Sequence, residues 1–342
     1  MKSIDNPITH HPKDTSMSHA MQWYQMSDTG LVAWDKSASD TAPNLRALAY
    51  GDGFFTTMAV YDGSLLWQSY HQARLRSHCH ALNLSLPTPT SEALWQALQA
   101  CAANITHGLI KIIISRPTQS VRGYAYSAST EHNEALIWVG IMPSDILAQQ
   151  QARFLDLPLG IKAPSAHLSG SLGQVILQQP ATIATCLQSR LASFPAPLAG
   201  LKSLNRLDGV MIAGELQRMK QQHPKLTEAL VADMAGNWVE GVMSNVFYQL
   251  TSDDDHIKHQ WFTPPIEASG VRGTMRQVII DRLAALGQPV VLRALQDADL
   301  LSLEALFFCN AVRGVMPVRE LIVGNQWLEL SLSVFNSNSV CT

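Results

Sequence analysis

Short runs with strand-like alternation of hydrophobic and polar positions recur along the chain, set among several helical stretches and polar links. Gly30-Leu31-Val32-Ala33-Trp34 opens a β-rich region. Tyr50-Gly51-Asp52-Gly53 then turns into Phe54-Phe55-Thr56-Thr57-Met58-Ala59-Val60-Tyr61, a half-buried strand, and Asp62-Gly63 supplies a hairpin signal after it. His71, Arg74, Leu75 and His78 recur at helical spacing between about Ser69 and Leu82. A second helix is predicted from Ser91, a good N-cap, to Ile105. Leu109 to Arg116 and Ala135 to Ile141 read as strands, which closes an α+β unit near residue 142.

Beyond a polar, Gln-rich link over 143–155 the pattern resumes. Residues 160–180, rich in Gly, Ser, Ala and Gln, read as a surface loop or insertion. Asn205 to His223 reads as a helix, and Ala229 to Asp233 with Trp238 to Leu250 as a hairpin about Ala235-Gly236-Asn237. Gly273-Thr274 opens a helix running to about Leu286, and Ala305 to Cys309 is a buried strand entering Asn310. The expected organisation is a flexible extension over 1–28, a small α+β domain over 29–142 and a larger domain over 156–342.

The chain has 342 residues, 46% hydrophobic and 15% charged, which is enough apolar material for two cores. A formal net charge of −3 offers no field for nucleic acid or an anionic membrane, so any bound anion must be caught by a local site. Five scattered cysteines without a Cys-x-x-Cys pair suit free thiols in a reducing cytoplasm. The polar, mixed N-terminus has neither the apolar core of a secretory signal nor a membrane span.

The candidate chemistry centres on Lys202, in Leu198-Ala199-Gly200-Leu201-Lys202-Ser203-Leu204, and Glu240, in Trp238-Val239-Glu240-Gly241. A lysine in an apolar, Gly-flanked junction either points at solvent or is desolvated, and desolvation frees its lone pair for a Schiff base. A carboxylate held opposite can keep a pyridine nitrogen protonated; alternatively Glu240 is an outward strand residue. This pairing suits pyridoxal 5′-phosphate. Phosphate donors are available at Gly270-Val271-Arg272-Gly273-Thr274, where a helix start favours an anion, at Asn310, and from Arg74. Arg116, Arg122 and Tyr124 either catch a substrate carboxylate or lie on an exposed loop. His71, His78, Cys79 and His80 point to different sides of one helix, so no metal site is expected. Asp253-Asp254-Asp255 with His256 reads as a solvated loop.

Taken in order, several motifs resemble the class IV pyridoxal-phosphate enzymes, a family that takes in branched-chain and D-amino-acid aminotransferases and aminodeoxychorismate lyases. They are Gly51-Asp52-Gly53-Phe54-Phe55-Thr56-Thr57, His71-x-x-Arg74-Leu75, Ile114-Ser115-Arg116 with Arg122-Gly123-Tyr124, and Leu198 to Leu207 around Lys202. Cys309-Asn310-Ala311 with Val315-Met316-Pro317-Val318 completes the set. The resemblance spans roughly residues 30 to 325 and is nearest to the lyases. It implies a two-domain α/β (α+β), D-amino-acid aminotransferase-like fold with pyridoxal phosphate between the domains, and a homodimer. By the same resemblance Lys202 is the Schiff-base lysine and acid/base and Glu240 the partner of the pyridine nitrogen. Arg74, Gly273, Thr274 and Asn310 hold the phosphate, and Arg122 and Tyr124 face substrate. The implied reaction is an elimination on 4-amino-4-deoxychorismate, with aminotransfer as the alternative.

Overall fold

The computed structural model describes residues 22–27, 30–33, 45–86, 88–119, 121, 123–127, 133–144, 153–154, 176–252 and 259–335. Arg122, residues 160–175 of the Gly/Ser/Gln-rich segment and Asp253 to His256 lie outside these. Among the described residues no helix is long and apolar enough to cross a membrane.

The first half forms a wholly antiparallel six-stranded sheet. Its strands are β1 (Gln22–Ser27), β2 (Gly30–Ala33), β3 (Gly53–Tyr61), β4 (Ser64–Leu65), β5 (His107–Ser115) and β6 (Leu136–Pro143), in the order β2-β1-β6-β5-β3-β4. β1 lies inside the stretch read from sequence as an extension. Its register on β6, Trp23 opposite Gly140 and Tyr24 opposite Val139, gives a polar segment backbone partners that its composition does not advertise. Helices α1 (Arg46–Tyr50), α2 (Gln68–Ala81) and α3 (Thr88–Ala103) complete this half. α3 begins three residues before the cap expected at Ser91.

Strand parity gives this sheet two unlike faces. Phe54, Met58, Ile110, Ile112, Ile114, Ile137 and Val139 point into one core, packed with Leu75, Leu94 and Leu98 of the helices. Phe55, Thr57, Lys111, Ile113 and Trp138 lie on the other face and remain partly exposed. Phe55 sits opposite Ile113, Thr57 opposite Lys111, and Ile113 opposite Trp138.

The second half contains β7 (Arg153–Phe154), β8 (Leu177–Gln178), β9 (Thr182–Arg190), β10 (Leu226–Ala232), β11 (Trp238–Gly241), β12 (Asn245–Leu250), β13 (Phe262–Thr263) and β14 (Val291–Leu292). β15 (Leu303–Asn310), β16 (Gly314–Val323) and β17 (Gln326–Glu329) follow, with helices α4 (Leu207–Gln222) and α5 (Thr274–Ala285) between strands. Pairing runs β12-β11-β10-β9-β16 and returns through β15, which joins both β16 and β12, so six strands close into a ring. Leu230, Val246, Phe308, Met316 and Val318 fill its interior. Neighbouring residues face out: Ala229 and Val231 meet Ile212 and Leu216 of α4, and Phe307 and Cys309 meet Met275, Val278 and Ile279 of α5. The tail of the segment expected to be a loop at 160–180 is instead strand β8. Ile176 and Leu177 are almost fully buried there, because their apolar side chains join the core under α5.

The two halves share that core, since Ala59, Leu66 and Trp67 of the first pack into it. The Gly-Asp-Gly turn is built by close approach. Gly51 has φ 62°, and a Cβ there would stand 3.1 Å from the Asn205 nitrogen, while one on Gly53 would collide with the Ile114 carbonyl. Asp52 between them accepts from Arg46 Nε at 2.7 Å and Arg116 Nε at 3.0 Å, both arginines being buried. Asp52→Ala leaves two buried guanidinium groups without their carboxylate, so a loss of about 3–5 kcal/mol is expected, read as a lower thermal melting midpoint of the purified chain.

Candidate active site

Lys202 sits on a short irregular run stitched to both halves. The Phe55 amide donates to the Lys202 carbonyl at 3.0 Å, and the Leu204 amide to the Gly53 carbonyl at 3.0 Å. On the other side Arg272 donates its amide to the Gly200 carbonyl at 3.0 Å. Gly200 has φ 79°, and a Cβ there would meet the Arg272 side chain at 2.7 Å, which accounts for the glycine. Because Ser203 bridges Phe54 in antiparallel fashion, Lys202 falls on the face of Phe55. Its Nζ lies 4.7 Å from that ring's centre. Burial lowers the amine's pKa to about 7, assisted by the positive Arg74, Arg206 and Lys111 and opposed by Glu240. The Lys202 backbone amide donates to His78 Nε2 at 3.0 Å.

Glu240 is buried on β11 rather than outward-facing. Its Oε2 accepts the Val271 amide at 2.8 Å and Asn245 Nδ2 at 3.4 Å, and the same Asn245 nitrogen donates to the Val271 carbonyl at 2.8 Å. Gly270, at φ 85°, leaves room for the carboxylate, which a Cβ there would approach to 2.9 Å. Burial raises Glu240 to about 7, against the pull of Arg206, the Val271 amide and Lys202. Ser244 does not serve Glu240. It donates to Glu228 Oε2 at 2.8 Å, while Glu228 Oε1 accepts the Val242 amide at 2.8 Å, so this second buried carboxylate holds the turn between β11 and β12.

The third cluster gathers donors. Arg74, buried on α2, reaches the Arg272 carbonyl at 2.8 Å and Thr56 Oγ1 at 3.3 Å, and Thr56 meets His71 Nδ1 at 2.7 Å. Arg74 has no carboxylate partner among the described residues, and burial lowers it to about 10. Gly273 caps α5, Thr274 is its first residue, and the Thr274 hydroxyl is buried with no hydrogen-bond partner. A guanidinium and a free hydroxyl at the start of a twelve-residue helix form a donor set for an anion. Asn310 is also engaged within its own turn. Its Oδ1 accepts the Val312 and Arg313 amides at 3.0 and 2.8 Å, and its Nδ2 donates to the Met243 carbonyl, so it shapes the turn between β15 and β16. That turn follows Cys309, which pairs with Asn245 in register.

The substrate-side residues divide. Tyr124 is 83% exposed, its ring 5.1 Å from Tyr50 and its carbonyl accepting from Arg46. Arg116, read from sequence as a catcher of carboxylates or an exposed loop residue, is neither. It is 2% exposed, paired with Asp52, bonded to Asn133 Oδ1 at 2.7 Å and stacked 4.0 Å from the Tyr126 ring centre, so its donors are occupied. Lys111 was missed. Its Nζ stands 4.9 Å from the same Phe55 ring that carries Lys202, with no carboxylate at ion-pair distance among the described residues. Alternation along Leu109 to Arg116 puts Lys111 on the face opposite the buried isoleucines, a signal the sequence does hold.

The model of the family described as amino-transferase class IV matches residues 53–321. An aminodeoxychorismate lyase of Vibrio harveyi is 27% identical over 273 residues, 80% of this chain and 84% of the relative. A putative branched-chain-amino-acid aminotransferase of Methanocaldococcus jannaschii is 23% identical over 283 residues, 81% of each chain. The crystal structure of 4-amino-4-deoxychorismate lyase from Pseudomonas aeruginosa superposes with a TM-score of 0.64 at 28% identity, covering 87% of this chain and 93% of that one. With most of its length inside the family model and the matched region holding Lys202, Glu240 and the donor set around α5, the chain belongs to the class IV aminotransferase family, whose members depend on pyridoxal phosphate.

Proposed function

We propose that this chain is a lyase that converts 4-amino-4-deoxychorismate to 4-aminobenzoate and pyruvate, a step towards folate, as a cytoplasmic homodimer. The observation that carries the reading is the pair of lysine amines, Lys202 and Lys111, over one Phe55 ring on the open face of the small sheet. A six-membered ring with one carboxylate on the ring and a second on its enolpyruvyl group suits a flat apolar floor beside a cation that has no counter-ion among the described residues. The named activity of the Vibrio and Pseudomonas relatives supports the same choice.

The residues fit pyridoxal phosphate at three points. Arg74 and the Gly273–Thr274 helix start would hold its phosphate, beside the turn shaped by Asn310. Lys202 would meet its aldehyde and Glu240 its ring nitrogen. When bound, the group supplies an aldehyde that captures the substrate amine and a pyridinium that stores an electron pair from the neighbouring carbon.

Lys202, whose amine titrates at about 7, removes the proton from the amine-bearing ring carbon of the substrate. Glu240, with Oε2 fixed by Val271 and Asn245, would keep a proton on the pyridine nitrogen of the bound group. Lys111 holds one substrate carboxylate, and Arg122 and Tyr124, by resemblance, would face the other. The bond from the ring to the enolpyruvyl oxygen then breaks. That oxygen leaves with the electron pair as enolpyruvate, which takes a proton on its methylene carbon to become pyruvate, and the six-membered ring becomes aromatic.

The second reading is a branched-chain or D-amino-acid aminotransferase, favoured by the archaeal relative. Such substrates carry one carboxylate and an aliphatic side chain, so they offer Lys111 and the other substrate-side cation a single anion between them, where the lyase substrate offers two. Release of a keto acid from leucine or D-alanine, with none of the lyase products, would establish it.

Purified protein loaded with pyridoxal phosphate is expected to form 4-aminobenzoate and pyruvate in equal amounts from 4-amino-4-deoxychorismate. Lys202→Ala should lower that rate by at least about 10²–10⁴-fold, and a folded, loaded wild type without product would refute the lyase. Lys111→Met should raise KM by roughly 10–100-fold, the worth of a charge-assisted hydrogen bond of about 1.5–3 kcal/mol, with kcat nearly unchanged in steady-state assays.

A further inference from the structure

Helix α2 delivers two side chains, one turn apart, to different parts of the site. Arg74 reaches the Arg272 carbonyl just ahead of α5, and four residues later His78 accepts the Lys202 backbone amide at 3.0 Å. The imidazole is held on its other sides as well. Its Nδ1 lies 3.2 Å from Ser77 Oγ, Ser77 Oγ donates to the Arg74 carbonyl at 3.0 Å, and the ring packs edge-on against Phe54 at 5.1 Å.

The protonation state follows from the partners. A backbone N–H can only donate, so Nε2 must be bare, and the neutral ring carries its proton on Nδ1, directed at Ser77. The charged groups facing His78 are Arg74 on its own helix, Lys202 on the irregular run and Arg272 ahead of α5, all positive. Burial and these three charges lower its pKa to about 3, so His78 remains an acceptor through the working range of an enzyme.

We propose that His78 is a positioning residue for Lys202, gripping its backbone amide so that the amine stays over Phe55 at a set distance from the Arg74 anion clamp. The Lys202 carbonyl is already held by Phe55, so His78 fixes the peptide on the other side of the same Cα. A residue held on both sides has little freedom left in φ and ψ, and its side chain departs in one direction. Without the acceptor the amide seeks water, the run loosens at Lys202, and the amine gains solvent. The inference rests on Lys202 being the reacting amine.

The test uses the full-length, cofactor-free chain, pulsed with acetic anhydride from about pH 5 to pH 10. Acetylation of Lys202 is read by peptide mass spectrometry with the other lysines as internal reference. A neutral amine acylates and an ammonium does not, so labelling rises with pH through the amine's own pKa. The wild-type midpoint is expected at about 7. In His78→Leu the midpoint should climb by about one unit or more towards the ordinary lysine value. In His78→Gln, whose Oε1 reaches the place of Nε2, it should stay with the wild type. If the leucine variant does not fold by circular dichroism, His78→Asn replaces it, because its amide oxygen stops short of the Lys202 amide. An unmoved midpoint in a folded Leu or Asn variant overturns the proposal, and so does an equal shift in the glutamine variant. Neither cofactor nor substrate enters this measurement, so its result stands apart from whether 4-aminobenzoate is formed.

Discussion

The site depends on five residues of irregular backbone, Gly200 to Leu204, hydrogen-bonded on both sides. One side belongs to β3 of the small sheet, the other to the residues that lead into α5. Buried amides and carbonyls must find partners, and a segment crossing between two sheets is placed wherever both can supply them. That requirement puts Lys202 on the Phe55 face and brings the start of α5 beside it. It also explains the crowded glycines. Gly51, Gly53 and Gly200 all stand where backbone meets backbone or an arginine stem too closely for a Cβ. Val271 closes the circuit, because its amide and carbonyl are taken by Glu240 and Asn245.

Electrostatics within this frame run against the chain as a whole. The sequence has a net charge of −3, yet Arg74, Lys111, Lys202 and Arg206 all act on the Lys202 amine as neighbours or as the amine itself, with Glu240 the opposing carboxylate. Burial disfavours a charged lysine and a charged glutamate alike, so both are brought to about 7 from opposite directions. The surplus of positive groups leaves room for negative charge brought by ligands. Other carboxylates near the cleft are committed elsewhere. Asp52 binds Arg46 and Arg116, and Glu228 holds the turn after β11.

Much of this was legible along the chain. The helices over 68–81, 207–222 and 274–285, the strand after Gly-Asp-Gly and the hairpin at Ala235-Gly236-Asn237 announce themselves by periodicity and turn residues, which are local properties. Lys202 and Glu240 stand out by their apolar surroundings and by family resemblance. The misses share a cause. β1 is a strand through its partner β6, β8 through the core beneath α5, and Arg116 is structural through Asp52 and Asn133, sixty-four and seventeen residues away. His78, with helical spacing and no obvious duty, acquires one only where Lys202 passes 124 residues later.

The sequence alone determined the faces of those strands and helices whose apolar pattern is continuous, because side-chain alternation and helical spacing are set by the geometry of consecutive residues. It also determined the kinds of groups available, a desolvatable lysine, a strand carboxylate and an anion-ready helix start. The tertiary structure alone decided which of those groups meet. The closure of the barrel through β15, the threading of Gly200 to Leu204 between the two halves, and the seating of Lys111 beside Lys202 all come from pairings between distant residues. Register and hydrogen-bond satisfaction across the whole fold select those pairings, and no local pattern encodes them.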